Sequence, residues 1–183
     1  AGGEGMGPLY DTARAIDGRG LDCQLAIIAG KNAALKQKLE SAKWQQPTFI
    51  YPFVRNMPTL MGGADIIVTK AGPATITEAA IAGLPMILSD AIPGQEDGNV
   101  DYVVENQAGA FAPEPRQVAS TISAWLAEGP AGLTRRAANA RRIARTEAVW
   151  EIADEVWHWA HQPRIARKVQ RRAWRSVTLA PRF

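Results

Sequence analysis

Residues 65–90 read DIIVTKAGPATITEAAIAGLPMILSD, two short β-branched runs on either side of a stretch with apolar residues at helical spacing. Gly72 and Pro73 punctuate the first boundary, and Gly83 with Pro85 the second. A strand, a helix and a second strand in so few residues form a crossover unit, the connection that two parallel strands require. The same alternation extends on both sides. LAIIAG (25–30) and FIYPFV (49–54) precede this unit, and the weaker GAFAP (109–113) follows it. Between the runs lie PLYDTARAIDGRG, KNAALKQKLESAKW and NVDYVVENQAG, each with helical periodicity. The pattern predicts a doubly wound, Rossmann-like α/β domain whose parallel sheet is covered on both faces.

Past residue 113 the pattern turns helical: RQVASTISAWLAEG, the Arg-rich GLTRRAANARRIA, and AVWEIADEVWHWA with Val149, Ile152, Val156 and Trp159 on one stripe. These helices are expected to pack on the sheet and close a domain over residues 1–160. The start is different in kind. AGGEGMGPLYDTARAI opens in a glycine loop that leads at once into a helix, with no strand to feed it. A doubly wound sheet has its first strand at the centre. The expectation is therefore a fragment with a place left in mid-sheet.

With 183 residues and 46% apolar content, the chain can bury a real core. No apolar run approaches the roughly 20 residues that span a bilayer. The lone Cys23 has no partner for an internal disulfide and reads as a core thiol in a reducing compartment, which places the chain on the cytoplasmic side. The net charge of +3 hides an asymmetry. Residues 161–183 carry seven basic side chains and no acidic one, so the preceding body is net negative. A basic tail on an acidic body points to an anionic surface and argues against a nucleic-acid binder.

Three loops carry candidate chemistry. Gly2–Gly7, GGEGMG, lets backbone amides approach an anion at a helix N-terminus. The turn Lys70-Ala71-Gly72-Pro73 opens another helix at the carboxyl end of a strand, the edge where open α/β sheets bind ligands. On local pattern, Thr75-Ile76-Thr77-Glu78 also fits a capping box, which would commit Glu78 to the backbone. IPGQEDGN (92–99) follows a strand on the same edge and gathers Gln95, Glu96, Asp97 and Asn99. Its glycines make it a turn, with Asp97 expected to cap the next helix. Amides for phosphates beside carboxylates and amides for hydroxyls suit a sugar nucleotide.

Residues 64–115, above all GPATITEA…GLPMIL…IPGQEDGNVDYVVENQAG, resemble the donor-binding C-terminal domain of monogalactosyldiacylglycerol synthases and related diacylglycerol glycosyltransferases. These belong to glycosyltransferase family 28, GT-B enzymes akin to the peptidoglycan UDP-GlcNAc transferase. GGEGMGP and PFVRNMPTLMGGADIIVTKAGP extend the likeness over about residues 1–130. The resemblance implies that Gly3, Glu4 and Gly5 lie against the donor diphosphate, that Phe53 and Val54 border the uracil, and that Met57 supports that pocket. It implies that Pro73, Ala74 and Thr75 bring a helix N-terminus to the phosphates and that Glu78 grips the ribose hydroxyls. Gln95 and Glu96 would read the donor sugar, with Asn99 fixing the loop or reaching the phosphate.

The function so implied is the donor half of an inverting transferase that moves galactose or glucose from a UDP-hexose to diacylglycerol. It implies no cofactor and no metal. The catalytic base is expected on an N-terminal domain that binds the lipid acceptor, so no catalytic residue is assigned; His158 and His161 read as surface or interhelical groups. In the tail, Arg164, Arg167, Lys168, Arg171, Arg172 and Arg175 lie opposite an apolar arc, with Trp174 at its boundary. That is the pattern of an interfacial membrane helix, and the tail at 161–183 is read as a peripheral anchor on the inner membrane face. Packing on the N-terminal domain is the alternative. Two other readings of the whole remain, a UDP-GlcNAc transferase for another lipid-linked acceptor and a non-catalytic module that binds membrane or nucleic acid.

Overall fold

The computed structural model describes residues 8–162. They fall into two units, divided between Thr146 and Glu147. The first holds five strands, β1 (Leu25–Ile28), β2 (Thr48–Tyr51), β3 (Ile67–Lys70), β4 (Met86–Asp90) and β5 (Gly109–Phe111). Its helices are α1 (Leu9–Asp17), α2 (Ala33–Glu40), α3 (Met57–Gly62), α4 (Pro73–Ala82), α5 (Asp97–Glu105), α6 (Pro115–Ala127) and α7 (Pro130–Ile143). All five expected strands are present and all pair in parallel.

β4 shows why the sheet forms. Side chains alternate faces along a strand, and here Met86 and Leu88 enter one core cluster while Ile87 enters another. All three are fully buried, worth about 1.5–3 kcal/mol each. Helices α4 and α5 cover the first face through Ile76, Ala79, Ala80 and Val103; α1 and α6 cover the second through Ile16, Val118, Ala119, Ile122 and Trp125. This is the doubly wound arrangement that the alternation predicts.

The ladder itself is divided. β1 pairs with β2, and β3, β4 and β5 form a separate three-stranded ladder; among the described residues no strand joins the two. Helix α1 links them instead. Ile16 belongs to the cluster over β4, Ala13 to the cluster of Ile27, Ala29 and Leu39 around β1. Its last residue, Asp17, is fully buried. The Asp17 carboxylate accepts from the N–H groups of Gln45 and Gln46 at 2.8 and 3.2 Å and from Arg14 Nη1 at 2.9 Å. Cys23 is half-buried beside this junction, its thiol 3.4 Å from Gln46 Oε1, and burial pushes its pKa up.

Helix α3 falls where the sequence reading names no element, although Asn56 and Pro58 are start signals of the usual kind. The third late helix, α8 (Ala148–His161), carries its apolar stripe exposed. It belongs to the second unit and has no buried residue; Val149 is 72% and Trp159 62% exposed. No described helix is long and apolar enough to cross a membrane.

β5 depends on one close approach. A Cβ on Gly109 would collide with the Met86 carbonyl and with Val103 Cγ1. The neighbour is backbone and cannot swing aside. Gly109→Ala should therefore lower stability by about 2–3 kcal/mol, read as a lower midpoint in urea unfolding.

Candidate functional site

The loops that leave β3 and β4 meet. After β3, Ala71 donates its N–H to the Asp90 carbonyl at 2.7 Å, and Gly72 is the N-cap of α4. With Pro73 at the first turn and no capping side chain among the described residues, α4 keeps its N-terminal amides open. Pro73 and Ala74 are exposed and Thr75 is half-buried. The expected capping box does not form, because the helix begins at Pro73 and Thr75 is already two residues inside it. Glu78 is left exposed, with no hydrogen bond or ion pair among the described residues. Its carboxylate is available to a ligand.

After β4 the chain turns back on itself. The Ile92 carbonyl accepts from the N–H groups of Gln95 and Glu96 at 3.1 and 2.8 Å, with Gly94 at a φ of 76° that favours glycine. Asp97 does not cap α5. It is the first helical residue, and its Oδ2 closes the turn by accepting from the Gly94 N–H at 2.8 Å. Asn99 Nδ2 donates to the Ala71 carbonyl at 2.9 Å, so it fixes the β3–α4 loop to α5.

Gln95 is exposed, and Glu96 beside it is only 3% exposed. Both Glu96 oxygens are engaged, Oε2 by the Ile92 N–H at 3.0 Å and Oε1 by Lys70 Nζ at 3.2 Å. Lys70, which the sequence names only as the start of the 70–73 turn and gives no ligand role, thus becomes part of the site. The only signal in the sequence is its place as the last residue of β3. At the neighbouring β1 and β2 loops, Phe53 is half-exposed with Lys31 Nζ 5.9 Å from its ring centre. Val54 is half-buried, and Met57 packs against the core cluster under α4. Gly3, Glu4 and Gly5, and the tail residues Arg164 to Arg175 with Trp174, lie outside the described residues. His158 and His161 are exposed on α8, where Gln162 and the Trp157 carbonyl take their ring nitrogens.

The Ile92 N–H holds the Glu96 pKa below its ordinary value of 4.5, and Lys70 adds to this against the opposing effect of burial. The unfolded chain then takes up this proton at higher pH than the folded one. The stabilisation is complete above about 4.5 and is lost as pH falls through the lower folded value. Glu96→Gln should be less stable than the parent at neutral pH, and the gap should close below the ordinary carboxylate range in denaturant titrations at stepped pH.

Comparison with known proteins places this geometry. A family model described as the glycosyltransferase family 28 C-terminal domain matches residues 10–154. A probable monogalactosyldiacylglycerol synthase 2 of Oryza sativa subsp. japonica is 42% identical over 92% of this chain and 37% of its own length. Monogalactosyldiacylglycerol synthase 3 of Arabidopsis thaliana is 41% identical over 88% of the chain and 36% of its own. The chain thus spans little more than a third of these relatives. Among solved structures, MurG of Acinetobacter baumannii shares the fold at a TM-score of 0.67 and 20% identity, over 85% of this chain and 48% of that one. The glycosyltransferase of kitacinnamycin does so at 0.63 and 20%, over 84% and 39%. The chain belongs to the glycosyltransferase family 28 C-terminal domain family.

Proposed function

We propose that the chain is the donor-binding half of an inverting glycosyltransferase that moves a hexose from a UDP-sugar to diacylglycerol. The observation that carries this reading is Glu78, an exposed carboxylate without a partner among the described residues, little more than a turn beyond the open N-terminus of α4. A ribose offers two adjacent hydroxyls that such a carboxylate can accept, and the helix start suits the phosphates one turn away. The relatives named monogalactosyldiacylglycerol synthases supply the acceptor class.

In this reading Phe53 and Val54 flank the uracil over Met57. Pro73 opens the helix without an N–H of its own, Ala74 and Thr75 turn their N–H groups to the diphosphate, and Gly3, Glu4 and Gly5 belong to the same diphosphate site. Gln95 reaches the sugar through its exposed amide, and Glu96 shapes the loop that presents it; Asn99 keeps the two loops in register. The acceptor hydroxyl attacks the anomeric carbon from the face opposite UDP, the bond to the diphosphate oxygen breaks, and the hydroxyl proton passes to a base on the other half of the enzyme. No metal or cofactor takes part. Negative charge grows on the departing diphosphate, where preorganised amides act without reorganising.

Titration of the chain with UDP by calorimetry tests this. Glu78→Ala should weaken binding about 10-fold or more, the cost of hydrogen bonds to a charged acceptor. Absent UDP binding, or binding indifferent to the substitution, overturns the reading.

A lipid acceptor also gives the basic tail a purpose, since each Lys or Arg near an anionic surface is worth about 1 kcal/mol. We infer a peripheral attachment at the cytoplasmic membrane face through Arg164, Arg167, Lys168, Arg171, Arg172, Trp174 and Arg175. Anionic vesicles should sediment residues 1–183 and leave residues 1–160 in solution; equal sedimentation removes the tail from the mechanism.

A further inference from the structure

Glu96 and Lys70 form a pair with unequal surroundings. The Glu96 side chain is 4% exposed and that of Lys70 39%. Glu96 spends one oxygen on the Ile92 N–H and the other on Lys70. Lys70 spends one of its three N–H donors on Glu96 and has no other partner among the described residues. The carboxylate is therefore consumed by the protein, while the ammonium keeps two donors for something outside it.

The backbone fixes where that ammonium sits. The β3–β4 register slips between Thr69 and Lys70, so that Thr69 faces Leu88 but Lys70 faces Asp90. A slip of this kind re-aims the side chain at the strand end. The Lys70 stem then runs past Gly72, the N-cap of α4; a Cβ there would lie 3.5 Å from Lys70 Cε and 4.0 Å from Glu96 Oε1. A cation clamped from beneath by a buried carboxylate thus stands beside the uncapped amides of α4.

We propose that Lys70 is the side-chain cation that binds the diphosphate of the donor, with Glu96 as the positioning residue that holds it there. This rests on the reading of the chain as a UDP-sugar-binding half. A loose lysine would lose rotamer freedom on meeting a phosphate; Lys70 has already lost it to Glu96. When the anomeric carbon–oxygen bond breaks, the electron pair stays on the diphosphate oxygen, and an ammonium already in place strengthens its hydrogen bond as that charge grows.

The test compares UDP with uridine, which lacks the phosphates, by calorimetry on the 183-residue chain. Lys70→Met should weaken UDP about 10- to 100-fold and leave uridine within about twofold, a selectivity that a merely structural role would not produce. Lys70→Arg should recover part of the UDP affinity, and Glu96→Gln should lose an intermediate share while also sparing uridine. Should Lys70→Met fail to fold by circular dichroism, Lys70→Gln replaces it with the same expectation. A parent chain that binds UDP, with an unchanged UDP-to-uridine ratio in the Lys70 variants, overturns the role of Lys70 alone. A parent chain that binds neither ligand overturns the donor reading and this inference together.

Discussion

A carboxylate taken out of water must be matched by donors, or burial costs several kcal/mol. Glu96 is matched by an amide from its own loop and by an ammonium from the neighbouring strand. That requirement organises the ligand edge of the sheet. The Ile92 N–H can reach Glu96 only if residues 92–96 fold back, which the Gly94 dihedral permits. Lys70 can reach it only if β3 and β4 end side by side. The folded-back loop in turn starts α5 where Asn99 meets the Ala71 carbonyl. The loops that border the α4 N-terminus are therefore one hydrogen-bonded assembly.

The strands were legible because their apolar runs are short, β-branched and bounded by glycine or proline, and because burial on both faces leaves no polar alternation in β4. Helices α1, α2, α4, α5 and α6 were legible from their periodicity. What escaped was what depends on distant partners. The division of the ladder is a matter of pairing, which local pattern does not encode. Glu96 stands among exposed polar residues, and nothing in IPGQEDGN says that its carboxylate alone turns inward. Lys70 reads as a solvated strand end until β4 is placed beside it.

At two helix starts local chemistry misled in an instructive way. Thr75 and Glu78 have the spacing of a capping box, yet the proline at 73 begins the helix earlier and leaves both inside it. Asp97 has the right identity for a cap, but Gly94 takes its oxygen first. In both cases a neighbouring turn residue fixed the boundary before the capping side chain could. The apolar stripe of α8 is the opposite case: its helical periodicity is present and its residues are exposed, because amphipathicity records a face that wants cover and not what covers it.

The position of α1 has a consequence for cooperativity. With no hydrogen bonds between the β1–β2 ladder and the three-stranded ladder, the described residues transmit unfolding from one to the other through side chains, chiefly Ala13, Ile16 and Asp17. Dispersion contacts and the two hydrogen bonds that Asp17 accepts from Gln45 and Gln46 are a thinner joint than a continuous ladder. The two halves of the sheet are thus natural boundaries for separate opening units, and α1 sets how strongly the opening of one is felt by the other.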